Sequence, residues 1–210
     1  MMEIEKWLND VLEKKHKRAM PIITFPAATK LNISVKKLIN DTDQQVAALK
    51  IIKEECNPLA ILGFMDLSVE AECFGAEIKV TDNEVPTVVG QLIEDEDDAQ
   101  ALKVPAVGSG RSQLYIDAIK KTKAEIKDIP ILGGCIGPFS LAGRLMDVSE
   151  AMINCYEEPE MVHIVLEKAT KFLIDYISAY KEAGADGITM INTLVGMRFN
   201  IKTGKPIIAN

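Results

Sequence analysis

The chain has 210 residues, 48% of them hydrophobic, and a formal net charge of -7. This length and composition fit one globular domain, and the acidic balance argues against a nucleic-acid partner, which requires a basic face. No apolar run reaches the roughly 18 residues of a membrane span, and Met1 to Arg18 lack a signal-peptide core, so we expect a cytoplasmic protein that does not contact a membrane.

Strand and helix patterns alternate along the chain. In order, we expect a helix at Met1–Lys17, a strand at Pro21–Phe25, a helix at Thr42–Glu55 capped by Asp41 or Asp43, a strand at Leu59–Phe64, a β-hairpin or extended excursion at Ala76–Val88, a helix at Gln113–Lys127, a strand at Ile129–Gly133, a helix at Pro159–Ala183 and a strand at Gly187–Ile191. The acidic run Glu94–Asp98 is typical of the solvated start of a helix. Such alternation predicts a parallel sheet with helical crossovers.

The fold class that we predict is α/β, of the (β/α)8 TIM-barrel type. Four βα units are about half of a closed barrel, which typically has about 250 residues. The doubly wound alternative lacks its fingerprint, because no GxGxxG follows the first strand.

Three carboxylates follow the strand Leu59–Phe64, namely Asp66, Glu70 and Glu72. The carboxyl ends of barrel strands are where catalysis takes place, so we predict Asp66 and Glu70 as catalytic residues and Glu72 as substrate-binding. Glu70 and Glu72 are two residues apart and would point in different directions on a helix. The alternative for Asp66 is a cap on the next helix.

The cysteines and histidines do not form a metal-binding pattern. Cys56, Cys73, Cys135 and Cys155 contain no CxxC pair and are expected to be reduced thiols. No His-x-Cys spacing occurs, so a self-contained zinc site is not expected and the predicted metal ligands are none. Cys135 is expected to be a small buried residue.

A glycine-rich turn follows the strand Ile129–Gly133. Gly134, with Gly133, would let the backbone approach a ligand, and Gly137 with Pro138 marks a tight turn. We therefore predict Gly134 and Gly137 as substrate-binding positions. Ser140 is the expected N-cap of the helix that follows.

Two sequence blocks and the order of the elements resemble the uroporphyrinogen decarboxylase superfamily over about residues 1–190. FMDLSVEAECFGAEI and ILGGCIGPFSLA are similar to blocks of its methylcobamide:coenzyme M methyltransferase branch. The resemblance implies methyl transfer between a methyl-corrinoid and a thiol, with a corrinoid protein or methyl-corrinoid and a small thiol as partners. Zinc in that branch is held by a His-x-Cys pair and a further cysteine in the second half of the barrel. This chain lacks those ligands, so we expect an incomplete enzyme with little transfer by itself.

The decarboxylases of the superfamily suggest an alternative activity on a tetrapyrrole. Asp66 matches the aspartate with which they hold pyrrole nitrogens. Their arginine block after the first strand has no counterpart, since Phe25–Lys30 contains no arginine. A polycarboxylate substrate needs cations, so methyl transfer is favoured.

The C-terminal segment 183–210 resembles dihydroorotate dehydrogenase, in GADGITMINTLVGM followed by KPIIAN. That resemblance implies that Asn192, with Thr193, lies beside a substrate, although the flavin lysine has no counterpart. We therefore divide the chain into a methyltransferase-like partial barrel at 1–190 and a tail at 183–210. A flavin-dependent oxidation would depend on the tail alone.

The remaining alternative is a non-catalytic, barrel-completing subunit or a fusion fragment with the dihydroorotate dehydrogenase-like tail. Four parallel strands would leave unpaired edges, which promote association. We expect a homo-oligomer, or a subunit that completes a barrel with another chain.

Overall fold

The computed structural model describes residues 3–16, 18–190, 196–199 and 206–209. Its helices are α1 (Ile4–Glu13), α2 (Ala27–Leu31), α3 (Val35–Ile39), α4 (Thr42–Cys56), α5 (Val69–Cys73), α6 (Glu96–Ala101), α7 (Ser112–Glu125), α8 (Pro138–Met146), α9 (Val148–Glu157) and α10 (Pro159–Glu182). Its strands are β1 (Ile61–Leu62), β2 (Glu77–Lys79), β3 (Thr87–Val89), β4 (Ile131–Gly134), β5 (Gly187–Thr189), β6 (Gly196–Phe199) and β7 (Pro206–Ala209).

The central sheet is parallel and has the order β1-β4-β5. Ile61 pairs with Ile131, and Leu132 pairs with Gly187. The connection from β1 to β4 contains α5, α6 and α7, and the connection from β4 to β5 contains α8, α9 and α10. The predicted parallel sheet with helical crossovers is therefore confirmed. The predicted hairpin is confirmed as well, because β2 pairs antiparallel with β3.

The predicted strand at Pro21–Phe25 is wrong. Residues 21–23 have no regular structure, and a turn at 24–26 leads directly into α2. Proline has no N–H to donate to a ladder, and this segment is bounded by Pro21 and Pro26. Ile22 and Ile23 are exposed, so the apolar run does not belong to the core. The described parallel sheet consequently has three strands instead of the expected four.

Capping residues explain where several helices begin. Asp41, one of the two expected caps, accepts hydrogen bonds from the backbone N–H groups of Asp43 and Gln44 at the start of α4. Asp95 caps α6 in the same way, which confirms the acidic run as a helix start. Ser140 is not a cap, because Pro138 occupies the first turn of α8 and Gly137 precedes it.

The long helix α10 supplies much of the core, and its Tyr180 ring lies beside Gly133 of β4. Phe172, Tyr176 and Tyr180 are fully buried on one stripe of this helix. The Tyr176 and Tyr180 hydroxyls are 2.7 Å apart and hydrogen-bonded, so the buried polar ends of both rings are satisfied. None of the described helices combines the length and the hydropathy that a membrane crossing requires.

Candidate active site

The loop between β1 and α5 carries a buried aspartate whose two carboxylate oxygens are both occupied. The Asp66 side chain has an exposed fraction of 0%. Its Oδ1 accepts hydrogen bonds from the Ser68 hydroxyl at 2.6 Å and the Ser68 N–H at 3.1 Å. Its Oδ2 accepts from Arg111 Nη1 at 2.5 Å and from the Tyr115 hydroxyl at 2.6 Å. Helix α5 begins at Val69, directly after Ser68, and has no side-chain cap.

Arg111 connects this aspartate to a second carboxylate. Its Nε donates to Glu72 Oε2 at 2.7 Å and its Nη2 donates to the Ser68 hydroxyl at 2.8 Å. Burial opposes the charge of the guanidinium, but Asp66, Tyr115 and Glu72 outweigh it and raise the pKa of Arg111. Burial, followed by the charge of Asp66, raises the pKa of the Tyr115 hydroxyl. Arg111 therefore stays a cation and Tyr115 a neutral donor around Asp66.

Glu70 is equally buried but only half satisfied. Its exposed fraction is 2%, and its Oε1 accepts a hydrogen bond from the Ile136 N–H at 3.0 Å. Its Oε2 has no hydrogen-bond partner among the described residues. Burial raises the pKa of Glu70 to about 7, although the Ile136 N–H and the charge of Arg144 act in the opposite direction. A carboxyl group with this pKa can accept or release a proton near neutral pH.

The structure places the predicted site residues in different surroundings. Asp66 and Glu72 meet at Arg111, whereas Glu70 points to the backbone that follows β4, as expected from the spacing of Glu70 and Glu72. A Cβ on Gly134 would lie 2.7 Å from Met65 Sδ, so this glycine allows close packing of the protein on itself. A Cβ on Gly137 would meet no atom within 4 Å. Asn192 and Thr193 lie outside the described residues.

A cavity of about 430 Å³ opens beside the Asp66 loop. Loop residues that follow β1, the β2–β3 hairpin and the end of α8 enclose it. It is lined by Met65, Leu67, Ser68, Val85, Pro86, Thr87, Val88, Gly90, Gly143, Arg144, Asp147 and Val148. Ser68 belongs both to the cavity wall and to the Asp66 network, so the network holds one wall of the cavity in place.

Sequence reasoning missed the two arginines of this region. Arg111 directly follows the short glycine-containing segment Gly108-Ser109-Gly110. Arg144 lies six residues after Pro138 on α8. An isolated arginine carries little signal in a sequence, and neither could have been paired with a carboxylate without the fold.

A metal site is not formed by the residues that the structure describes. Among them, no three His, Cys, Asp or Glu side chains are grouped so as to hold an ion. His16 and His163 are both exposed. All four cysteines are free thiols, and Cys135 is buried as predicted, with a pKa that burial raises to about 12. A thiol with this pKa is neutral at pH 7 and a poor metal ligand.

Comparison with known proteins identifies relatives for most of the chain. Residues 14–197 match the family described as uroporphyrinogen decarboxylase (URO-D). The methylcobamide:CoM methyltransferases MtbA of Methanosarcina acetivorans and Methanosarcina mazei are 34% and 31% identical to this chain over 149 residues. That alignment covers 67% of this chain and 43% of each relative, so the chain spans less than half the length of these curated relatives.

A solved structure and a second group of relatives complete the comparison. A methyltransferase from Methanosarcina mazei superimposes with a TM-score of 0.78 at 23% identity, covering 90% of this chain and 59% of that one. This likeness shows the fold and confirms the barrel class. The catalytic subunit of dihydroorotate dehydrogenase B from Streptococcus pneumoniae is 47% identical over 64 residues, 30% of this chain and 20% of that protein. The two predicted resemblances are thereby confirmed.

Proposed function

The chain belongs to the uroporphyrinogen decarboxylase family, and from this premise we propose that it takes part in methyl transfer between a methyl-corrinoid and a small thiol. In this reaction the methyl group leaves cobalt without the bonding electron pair and forms a bond to sulfur, and the thiol gives up its proton. The corrinoid is a substrate carried by a partner protein or free in solution. Relatives named as methylcobamide:CoM methyltransferases support the proposal.

The observation that carries the proposal is the occupancy of Asp66. Each of its carboxylate oxygens already accepts two hydrogen bonds within the protein, and its side chain has no exposed surface. An aspartate that holds pyrrole N–H groups needs free acceptor oxygens facing the substrate. We therefore favour a thiol substrate over a tetrapyrrole, and we assign to Asp66 the positioning of the loop that walls the cavity.

Glu70 is the residue that we propose for the thiol proton. Its unpartnered Oε2 and its pKa of about 7 suit a proton acceptor at neutral pH. Glu72 holds Arg111 from the more exposed side, and Gly134 and Gly137 shape the turn after β4.

The methyltransferase resemblance implies zinc. The described residues do not fit this metal, because no three possible ligands are grouped among them. We propose that efficient transfer depends on residues beyond those described, supplied by a second, different chain. The division into a partial barrel at 1–190 and a tail at 183–210 with Asn192 is part of the same proposal.

The test is a methyl-transfer assay with methylcobalamin as the donor. The purified chain is mixed with coenzyme M and, separately, with neutral 2-mercaptoethanol, and the methylated thiol is quantified by mass spectrometry. The same mixtures are repeated with the separately expressed C-terminal part of the Methanosarcina acetivorans relative. We expect slow transfer by the chain alone and faster transfer with the added part. If the added part accelerates transfer to neither thiol, although the intact relative is active, the proposal is overturned.

The role of Glu70 is tested by Glu70→Gln in the faster of these mixtures. We expect the rate to fall and its rise between pH 6 and about 8 to disappear, because the amide cannot accept a proton. Glu77→Gln is the matched control, since Glu77 is exposed on β2. An unchanged pH profile in Glu70→Gln would remove Glu70 from the proton-transfer role.

A further inference from the structure

Two buried polar groups away from the cavity have complementary hydrogen-bonding capacity left over. Glu70 keeps a free acceptor, because its Oε2 bonds to no described residue. Tyr176 and Tyr180 keep one free donor, because their hydroxyls bond to each other at 2.7 Å and that bond uses a single hydrogen. The second hydroxyl hydrogen has no acceptor among the described residues. Buried polar groups are nearly always paired in folded proteins, so the free acceptor and the free donor are natural partners.

Aromatic packing joins the helix of Glu70 to the helix of the two tyrosines. Phe74, the C-cap of α5, lies four residues after Glu70 and therefore about one turn further along the same side. Its ring contacts the Phe172 ring of α10 edge-to-face, with the centroids 5.4 Å apart. Phe172 in turn stacks on Tyr176, one turn later on α10, at 5.7 Å. The side of α5 that carries Glu70 therefore packs on the stripe of α10 that carries the hydroxyl pair.

Strand β4 and the segment after it contact the same groups from the side of the sheet. A Cβ on Gly133 would lie 2.8 Å from the Tyr180 ring, so β4 passes directly beside this tyrosine. Three residues later, the Ile136 N–H donates to Glu70 Oε1 at 3.0 Å. Burial is the main reason that the pKa of both tyrosine hydroxyls is raised, and the charge of Glu70 contributes to each. Tyr176 and Tyr180 are therefore neutral donors near the Glu70 carboxyl group.

We propose that the hydroxyl pair of Tyr176 and Tyr180 donates, through one buried water, to Oε2 of Glu70 and so positions the proton that Glu70 exchanges. When Glu70 is ionised, one tyrosine donates to the other and the other donates towards Oε2, so both hydroxyl hydrogens have an acceptor. When Glu70 is protonated, its own O–H donates towards the tyrosines, and one hydroxyl hydrogen is again without an acceptor. The pair therefore favours the carboxylate and keeps the pKa of Glu70 below the value that burial alone would give. A part in methyl transfer rests on the proposed function, whereas the hydrogen bond to Glu70 does not.

The other groups that act on Glu70 are unchanged when a tyrosine hydroxyl is removed. They come from the elements around it, namely Asp66 on the loop after β1, Cys73 on α5, Cys135 after β4 and Arg144 on α8. Replacement of tyrosine by phenylalanine removes one oxygen and keeps the ring. A change in the titration of Glu70 then reports the loss of the hydroxyl.

An NMR titration of the whole chain, with carbon-13 in the side-chain carboxyl groups of its glutamates, tests the proposal. Glu70→Gln identifies the Glu70 resonance by its disappearance. We expect a midpoint of about 7 in the original chain and an increase of about one pH unit, a tenfold change in proton affinity, in the double variant Tyr176→Phe/Tyr180→Phe. The single variants should fall between. Tyr156→Phe, at a ring that is 94% exposed, should leave the midpoint unchanged, and Phe172→Leu, which alters the same stripe without removing a hydroxyl, should move it much less.

A second measurement needs no tyrosine variant and keeps the test decisive if the double variant does not fold. The chain has four tyrosines, and carbon-13 at their ζ carbons reports the hydrogen bonding of each hydroxyl. Two of the four resonances should move with the Glu70 midpoint in the original chain and stay constant over the same pH range in Glu70→Gln.

Three results would overturn the link between the tyrosine pair and Glu70. They are an unchanged Glu70 midpoint in the folded double variant, an equal shift in Phe172→Leu, and tyrosine resonances that do not follow Glu70. The expected NMR shifts without methyl transfer would support this link and contradict only the proposed function. Methyl transfer with an unchanged Glu70 midpoint in the double variant would contradict only the link.

Discussion

Asp66 and Glu70 are two buried carboxylates on the same short segment, but their hydrogen-bond partners differ. Asp66 is surrounded by Arg111, Tyr115 and Ser68, and both of its oxygens are paired. Glu70 has one bond to the Ile136 N–H and one oxygen without a partner. A fully satisfied buried network fixes a conformation, whereas an unsatisfied buried acid costs stability and is found where it serves a function. The comparison predicts that changes around Asp66 destabilise the fold and that changes at Glu70 alter the pH dependence of stability.

The largest effect is expected when the cation beside Asp66 is removed. Arg111→Met removes the cation that forms ion pairs with Asp66 and Glu72. Breaking a buried ion pair in this way costs about 3–5 kcal/mol. Urea unfolding at pH 7 measures the loss. Lys121→Met is the matched control, because the Lys121–Asp43 pair is exposed and its loss should change stability little. Similar unfolding midpoints for both variants would contradict the assignment of Arg111 as the centre of the network.

A pH-dependent effect is expected at Glu70. Because the folded-state pKa is raised from 4.5 to about 7, the stability that Glu70 contributes is fully present below pH 4.5 and is lost as the pH rises through 7. Glu70→Gln cannot ionise, so its free energy of unfolding should exceed that of the original chain by a margin that grows over this window, on the order of 3 kcal/mol.

The difference in unfolding free energy between Glu70→Gln and the original chain cancels the titration of the other groups. The groups whose charges interact with Glu70 are Asp66, Arg144, Cys73, Cys135, Tyr176 and Tyr180. All of them are present in both proteins. Parallel curves of unfolding free energy against pH would show that Glu70 does not titrate as described.

A moderate loss is expected from Tyr115→Phe. The hydroxyl donates to Asp66 Oδ2 at 2.6 Å in a buried environment, and removing one partner of such a bond costs about 1–3 kcal/mol. Tyr156→Phe serves as the control because Tyr156 is 94% exposed. Thermal unfolding of the two variants should differ; equal melting temperatures would mean that Arg111 and Ser68 satisfy Asp66 without the Tyr115 hydroxyl.

The smallest effect concerns the glycines after and within β4. A Cβ at Gly133 would lie 2.8 Å from the Tyr180 ring, so Gly133→Ala should lose about 1–2 kcal/mol by overpacking. Gly137→Ala meets open space and adopts φ of -79°, which alanine tolerates, so little change is expected. Urea unfolding of the pair checks this, and equal losses would indicate that backbone conformation, not packing, requires glycine at both positions.

Helices with a clear apolar stripe could be predicted from the sequence because their signal is local. The limits of α4, α7 and α10 differ from the expected ones by one or two residues, and Gly184 ends α10 as expected with φ of 95°. The apolar run at Pro21–Phe25 gave the wrong result, since a short run does not reveal whether a neighbouring strand is available to pair with it.

The sequence by itself determined the alternation of strands and helices and the position of an acidic loop directly after β1, because both depend on residues that are near neighbours in the chain. Only the tertiary structure decided which carboxylate is paired. Arg111 reaches Asp66 across 45 residues and the Ile136 N–H reaches Glu70 across 66, so the fold chooses the partners. Since the cost of a buried charge depends on those partners, the difference between the fully paired Asp66 and the half-paired Glu70 appears only when the chain is folded.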